Sequence, residues 1–182
     1  MADRNYQWIT TDQLEAVDAQ DLLPKCPTTD EEKISALLDV LAHPSSFTGD
    51  EDMDLVRDSA LCGLLQFPKL PERTIEIMLF ILADEDDSDL VLTRKMAACD
   101  VLGHMRQQAE TSLTTLYDLL SIVESDRDFE RWLALRAAKA IWKIKGDSEP
   151  ALEVAEKLTE GGQFWLAMHA HELLGEIAAE GG

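Results

Sequence analysis

Acidic side chains are the first candidates for chemistry in this chain. Asp50, Asp52 and Asp54 stand at the D-x-D-x-D spacing of a calcium loop, and Asp84-Glu85-Asp86-Asp87-Ser88-Asp89 begins in a similar way. Such a loop needs Gly at its sixth position, for the sharp turn, and a bidentate Glu at its twelfth. Counted from Asp50 these are Leu55 and Leu61; counted from Asp84 they are Asp89 and Lys95. Both runs are therefore expected to be solvated turns, their last acids capping the next helix and favouring its positive end.

Histidine and cysteine offer little more. His169 and His171 are two residues apart, so on a helix they point about 200° apart and cannot hold one metal from one face. His104 lies five residues beyond Cys99, which is a poor same-face spacing for a nucleophile and its base. Cys62 and Cys99 are expected to be small packed residues. With Cys26 the thiols number three and form no C-x-x-C pair. That argues for reduced thiols in a cytoplasmic protein rather than a disulfide framework or a zinc ribbon. No catalytic residue, metal or cofactor is expected.

The elements that carry these residues read as helices throughout. Ile34, Leu37, Leu38 and Leu41 recur at i, i+3, i+4 and i+7 behind a Thr29-Asp30 start, and no stretch alternates long enough for a strand. Residues 1–29 read as a lead-in or capping helix that ends at Pro24 and Pro27. The seven residues from Ile77 to Ala83 form the longest apolar run, far short of a membrane span. The helix that holds them, Ile75 to Ala83, is apolar nearly all round and is expected to have neighbours on several sides, so that Leu79→Asp would unfold the chain. No signal peptide is expected, since Met1 to Trp8 shows no basic region followed by an apolar one.

Four segments align without gaps: Val56 to Phe67, Arg94 to Met105, Leu133 to Ile144 and Leu166 to Ile177. Their fifth positions are Ala60, Ala98, Ala137 and Ala170; their ninth are Leu64, Leu102, Ile141 and Leu174. A small residue lets two helices approach closely, and the large ones then fill the seam. Each segment follows another amphipathic helix, expected near Asp30–Ala42, Glu72–Ala83, Glu110–Glu124 and Glu149–Thr159. Paired helices recurring at this interval indicate an α-solenoid.

On these residues the chain resembles the HEAT-repeat family, whose second helix often reads roughly V-R-x-x-A-A-x-A-L-G-x-I. Val56-Arg57, Lys95, Ala98, Leu102-Gly103, Ala137-Ala138, Ala140-Ile141, Leu174-Gly175 and Ile177 stand at matching positions. At the tenth position Leu65 and Trp142 depart from it, and at the second Ala134 and Ala167 do. The resemblance implies an all-α, right-handed α-α superhelix of about four hairpins, over roughly 30–68, 70–106, 109–146 and 148–180. It also brings an enzyme alternative. His171-Glu172 is similar to the His-Glu pairs by which deoxyhypusine hydroxylase, of the same repeat class, holds iron. The aligned positions here are Leu61-Cys62, Cys99-Asp100 and Ala138-Lys139, and one pair in four does not make a di-iron site. Bilin lyases of this class supply a second enzymatic parallel, and an acidic inhibitor or immunity factor is a third reading.

The distribution of charge narrows the partner. The chain holds 36 acids and 16 bases, a formal charge of −20. That excludes duplex nucleic acid and anionic membranes as general partners, because a phosphate lattice needs a basic footprint. One block, 127–146, is nevertheless net +4, with Arg127, Arg131, Arg136, Lys139, Lys143 and Lys145. Arg136, Lys139 and Lys143 share a helix face at motif positions four, seven and eleven. The same positions hold Asp100, His104, His169, Glu172 and Glu176 in neighbouring repeats. These eight residues are the candidate groove. Stacking at about 10 Å is expected to place Lys139 between Asp100 and Glu172, and Lys143 near Glu176. The face is then either an internal ion-pair ladder or a partner-binding groove. Trp132, Trp142 and Trp165 are expected in core or seam, unless one is exposed as a partner anchor. The leading functional reading is a non-enzymatic interaction module for a protein with a basic surface or segment.

Overall fold

The computed structural model describes residues 29–42, 51–161 and 163–180, with the backbone alone at 51–55 and 161. Most of the expected lead-in and the turn around Asp50 lie outside the described residues. Among those described, the chain is all-α and has no strand. Helices α1 (Asp30–Leu41) and α2 (Glu51–Leu64) pack together as one pair, and α3 (Arg73–Leu82) and α4 (Asp89–Met105) as the next. Two 3-10 helices (Arg106–Ser112 and Leu120–Glu124) flank α5 (Leu113–Leu119), and this stretch packs on α6 (Asp128–Lys145). The last pair is α7 (Glu149–Gly161) and α8 (Phe164–Glu180). Each second helix touches its successor, α2 to α4, α4 to α6 and α6 to α8.

Local chemistry sets the helix ends. Thr29 and Glu32 form a reciprocal capping box at α1, each side chain accepting from the other's backbone N–H at 3.2 Å. Ser88, not one of the preceding acids, caps α4 through Val91 N–H. Asp84 and Asp86 instead accept backbone N–H groups of Asp86 and Ser88 inside the turn. Gly146 ends α6 in the left-handed conformation, φ 77°, which glycine adopts without steric cost. The expected helix Glu110–Glu124 is broken. Ser112 and Ser121 hydroxyls donate to the Ala109 and Asp118 carbonyls and so compete with the helical ladder. Ala109 leaves helical geometry altogether.

The seam alanines Ala60, Ala98, Ala137 and Ala170 are all buried, at 0–2% exposure. Leu64, Leu102 and Ile141 beside them are fully enclosed, and each such side chain contributes roughly 1.5–3 kcal/mol on burial. Helix α6 serves two cores at once. Leu133, Ala137, Ile141 and Ile144 face the earlier pairs, whereas Ala134, Leu135, Ala138 and Trp142 face α7 and α8. Helix α3 is less enclosed than its run of apolar residues predicts. Met78 is completely buried, Leu79 only half so, and Phe80 is 64% exposed, because one flank of α3 faces solvent. Met78, completely enclosed, is the position on this helix where a charge is most costly, and Leu79 also packs against the core.

Candidate functional site

The third face of α6 carries Arg136, Lys139 and Lys143, all partly exposed. A cleft of about 330 Å³ gathers Asp100, His104, Arg136, Lys139 and Lys143 at the seam between α4 and α6. On the other side of α6 a crevice of about 40 Å³ joins Arg136 and Lys139 to His169, Glu172 and Glu176 of α8. The eight candidate residues therefore share one surface, split by the ridge of α6.

Their pairing is diagonal. Arg136 meets Asp100 at 3.4 Å, Lys139 meets Glu176 at 2.6 Å, and Lys143 meets Glu180 at 2.5 Å. Lys139 was expected between Asp100 and Glu172, and Lys143 near Glu176; on α8 both acids actually used lie one helical turn further on. A turn rises 5.4 Å, a span that a long basic side chain bridges. Glu172 pairs instead with His169 on its own helix, at 2.9 Å. His104 reaches the Phe67 carbonyl oxygen at 2.8 Å, across 37 positions, and so ties α4 to the end of the preceding pair.

The same interval recurs in other rungs. Arg94 pairs with Asp58 across 36 positions and Arg127 with Asp87 across 40. Arg136–Asp100 spans 36, and Lys139–Glu176 and Lys143–Glu180 span 37 each. Every one of these rungs joins one helix pair to the next. Hydrogen bonding to Lys143 holds the Glu180 carboxyl below its usual range. Asp100 behaves oppositely: burial raises its carboxyl, and Arg136 and Lys139 recover only part of that cost.

Sequence spacing missed several participants. Glu180 lies four residues beyond Glu176 and completes the ladder. Arg106 lines the cleft with the unusual positive φ of 54°. Trp132 is a junction: His169 stacks on it at 5.3 Å and 11°, and the Arg136 guanidinium lies 5.6 Å from its centre. Trp142 is packed in the core, with the Lys143 ammonium 3.9 Å from its ring centre.

Cys99 is enclosed, and burial, with Asp100 adding to it, pushes its thiol far above the ordinary range. Cys62 departs from the packed position expected of it and is exposed, because its helix face turns to solvent. Among the described residues no three His, Cys, Asp or Glu side chains converge to hold a metal, and no helix is long and apolar enough to cross a membrane. No protein-family model, curated protein or solved structure shows significant similarity to this chain.

Proposed function

We propose that this chain is a cytoplasmic, non-enzymatic interaction module of the HEAT-like type, its helix pairs wound into a right-handed superhelix that receives a basic protein segment. Recurrent rungs at 36 to 40 positions and buried seam alanines support the repeat reading. The observation that carries the partner's charge is where the cations go. Arg94, Arg127, Arg136, Lys139 and Lys143 are all bound to carboxylates of neighbouring helix pairs. Four of the six bases of the block 127–146 are thus engaged between helix pairs and Lys145 is held by Asp147, so most of the positive charge is matched internally and the excess negative charge of a −20 chain dominates the surface. Every residue of the acidic turn from Asp84 to Asp89 is exposed. A surface of this sign accelerates encounter with a cationic partner and weakens as salt screens it.

Affinity capture with the full chain at low and at physiological salt tests this reading. The expected partner carries a basic segment, elutes as salt rises, and binds a Glu85→Gln/Asp86→Asn/Asp87→Asn variant more weakly. A partner that is retained regardless of salt and of the acidic turn would overturn it.

A further inference from the structure

A second cavity, apart from the charged cleft, lies where α4, α6 and α8 begin. Six residues line this recess of about 550 Å³: Asp89, Arg127, Asp128, Phe129, Trp132 and Trp165. Asp89 opens α4, Asp128 and Phe129 open α6, and Trp165 sits in the first turn of α8. The three rings are all half-buried. Phe129 and Trp132 have centroids 6.3 Å apart at 56°, and Trp132 and Trp165 are 5.0 Å apart at 72°. Rings at such angles meet as the walls of a corner rather than as a stack.

The π surface of Trp132 is already in use, with His169 and Arg136 against it. Trp165 differs. Its indole N–H donates to Gln163, and its plane crosses those of its ring neighbours among the described residues, Trp132 and His169, at 72° and 77°. Among the described residues no cation lies over its ring, and it forms a wall of the recess, within reach of whatever enters.

Charge at the recess is negative. Arg127 is the base in its lining, and that guanidinium is bound by Asp87 at 2.7 Å, Glu130 at 2.9 Å and Asp89 at 3.5 Å, and by the Asp87 carbonyl oxygen at 2.6 Å. Asp128 makes no ion pair among the described residues. The carboxylates therefore outnumber the cation, and the exposed turn that contains Asp87 and Asp89 continues the negative surface outward. An anion would be repelled here. A neutral apolar anchor would bury Asp128 with nothing to compensate it. A cation gains twice, from the carboxylates and from the ring quadrupole, and a guanidinium also stacks flat on an indole.

We infer that this recess is the anchor point of the partner, receiving an arginine or lysine side chain from its basic segment, with Trp165 as the π wall and Asp128 and Asp89 as the carboxylates. The inference rests on the acidic-surface reading above and names the spot on that surface that holds the partner in place.

Calorimetric titration of the full chain at low salt tests it, with a short Gly/Ser peptide carrying arginines and the same peptide carrying citrulline instead. Citrulline keeps the shape and removes the charge. The arginine peptide is expected to bind, and the citrulline peptide to bind at least about tenfold more weakly. Trp165→Ala and Asp128→Asn are each expected to weaken the arginine peptide at least about fivefold without changing helicity. If Trp165→Ala impairs folding, Trp165→Phe and Asp128→Asn decide, because Phe keeps an apolar wall with a weaker quadrupole. Equal binding by the wild type and the recess variants would overturn the recess and leave the acidic-surface reading standing. Equal binding of the citrulline peptide would overturn the cationic anchor. Absence of any binding to arginine or lysine peptides would overturn both.

Discussion

Lys139 on α6 holds Glu176 on α8 at 2.6 Å, one helical turn beyond the Glu172 that shares its own motif position. Arg136 on the same face reaches the other way, to Asp100 on α4. One helix face thus binds both of its neighbours, and its cations are spent on cohesion between helix pairs.

That arrangement predicts how Lys139→Glu/Lys143→Glu behaves. The reversal places acids against Glu176 and Glu180, so the melting midpoint falls by a few degrees at low salt, and the loss shrinks as salt screens the repulsion. Binding of a basic peptide is expected to persist or strengthen, since the proposed recess does not include these lysines. Melts by circular dichroism at two salt concentrations check the first point. Loss of peptide binding would instead mark this face as the groove that the partner occupies.

Two glycines at the same motif position should respond oppositely. A Cβ on Gly103 would come within 3.2 Å of the Ala140 backbone, at the tight seam of α4 and α6. Gly103→Ala is expected to cost about 1–3 kcal/mol by forcing that seam apart. A Cβ on Gly175 meets nothing within 4 Å, so Gly175→Ala is expected to stabilise by about 0.5–1 kcal/mol through helix propensity. Urea midpoints of the two variants distinguish them, and equal signs would refute the stacking order.

The cysteines should separate by reactivity. Burial raises the Cys99 thiol and encloses it, whereas Cys62 is exposed. Iodoacetamide followed by peptide mass mapping is expected to label Cys62 within minutes in the folded chain, and Cys99 only after denaturation. Rapid labelling of native Cys99 would contradict the closed seam between α4 and α6.

Asp100 makes a pH-dependent prediction. Burial raises its carboxyl in the folded state, with Arg136 pulling it partly back. A raised carboxyl favours the protonated folded form. Its stabilising effect is complete below the ordinary carboxylate value and is lost as pH rises through the raised value. Against an Asp100→Asn variant, the wild type is therefore expected to lose relative stability as pH rises from below the ordinary carboxylate range through the raised value. Denaturation midpoints across that range measure the gap, and the lowered carboxyl of Glu180 cancels because both proteins have it. A gap that stays constant, or widens in favour of the wild type, would count against the raised, half-buried carboxylate.

Composition and spacing alone determined much of this. Helical periodicity follows from side-chain hydrophobicity along a single helix, so α1, α3 and α7 are legible from their own residues. The seam alanines are legible because a close helix approach demands a small residue at each recurrence. The break around Ala109 was hidden, since competition from serine hydroxyls is a matter of geometry rather than of pattern. Tertiary structure decided the rest. It set the one-turn offset that sends Lys139 to Glu176, because pairing depends on side-chain reach across two helices and not on equal register. It made Gly103 a contact and left Gly175 open, because one lies between two helix pairs and the other on the last. It also assembled Asp89, Asp128, Phe129 and Trp165 into one recess, from the beginnings of three helices that are distant in the chain and adjacent only once the pairs have stacked.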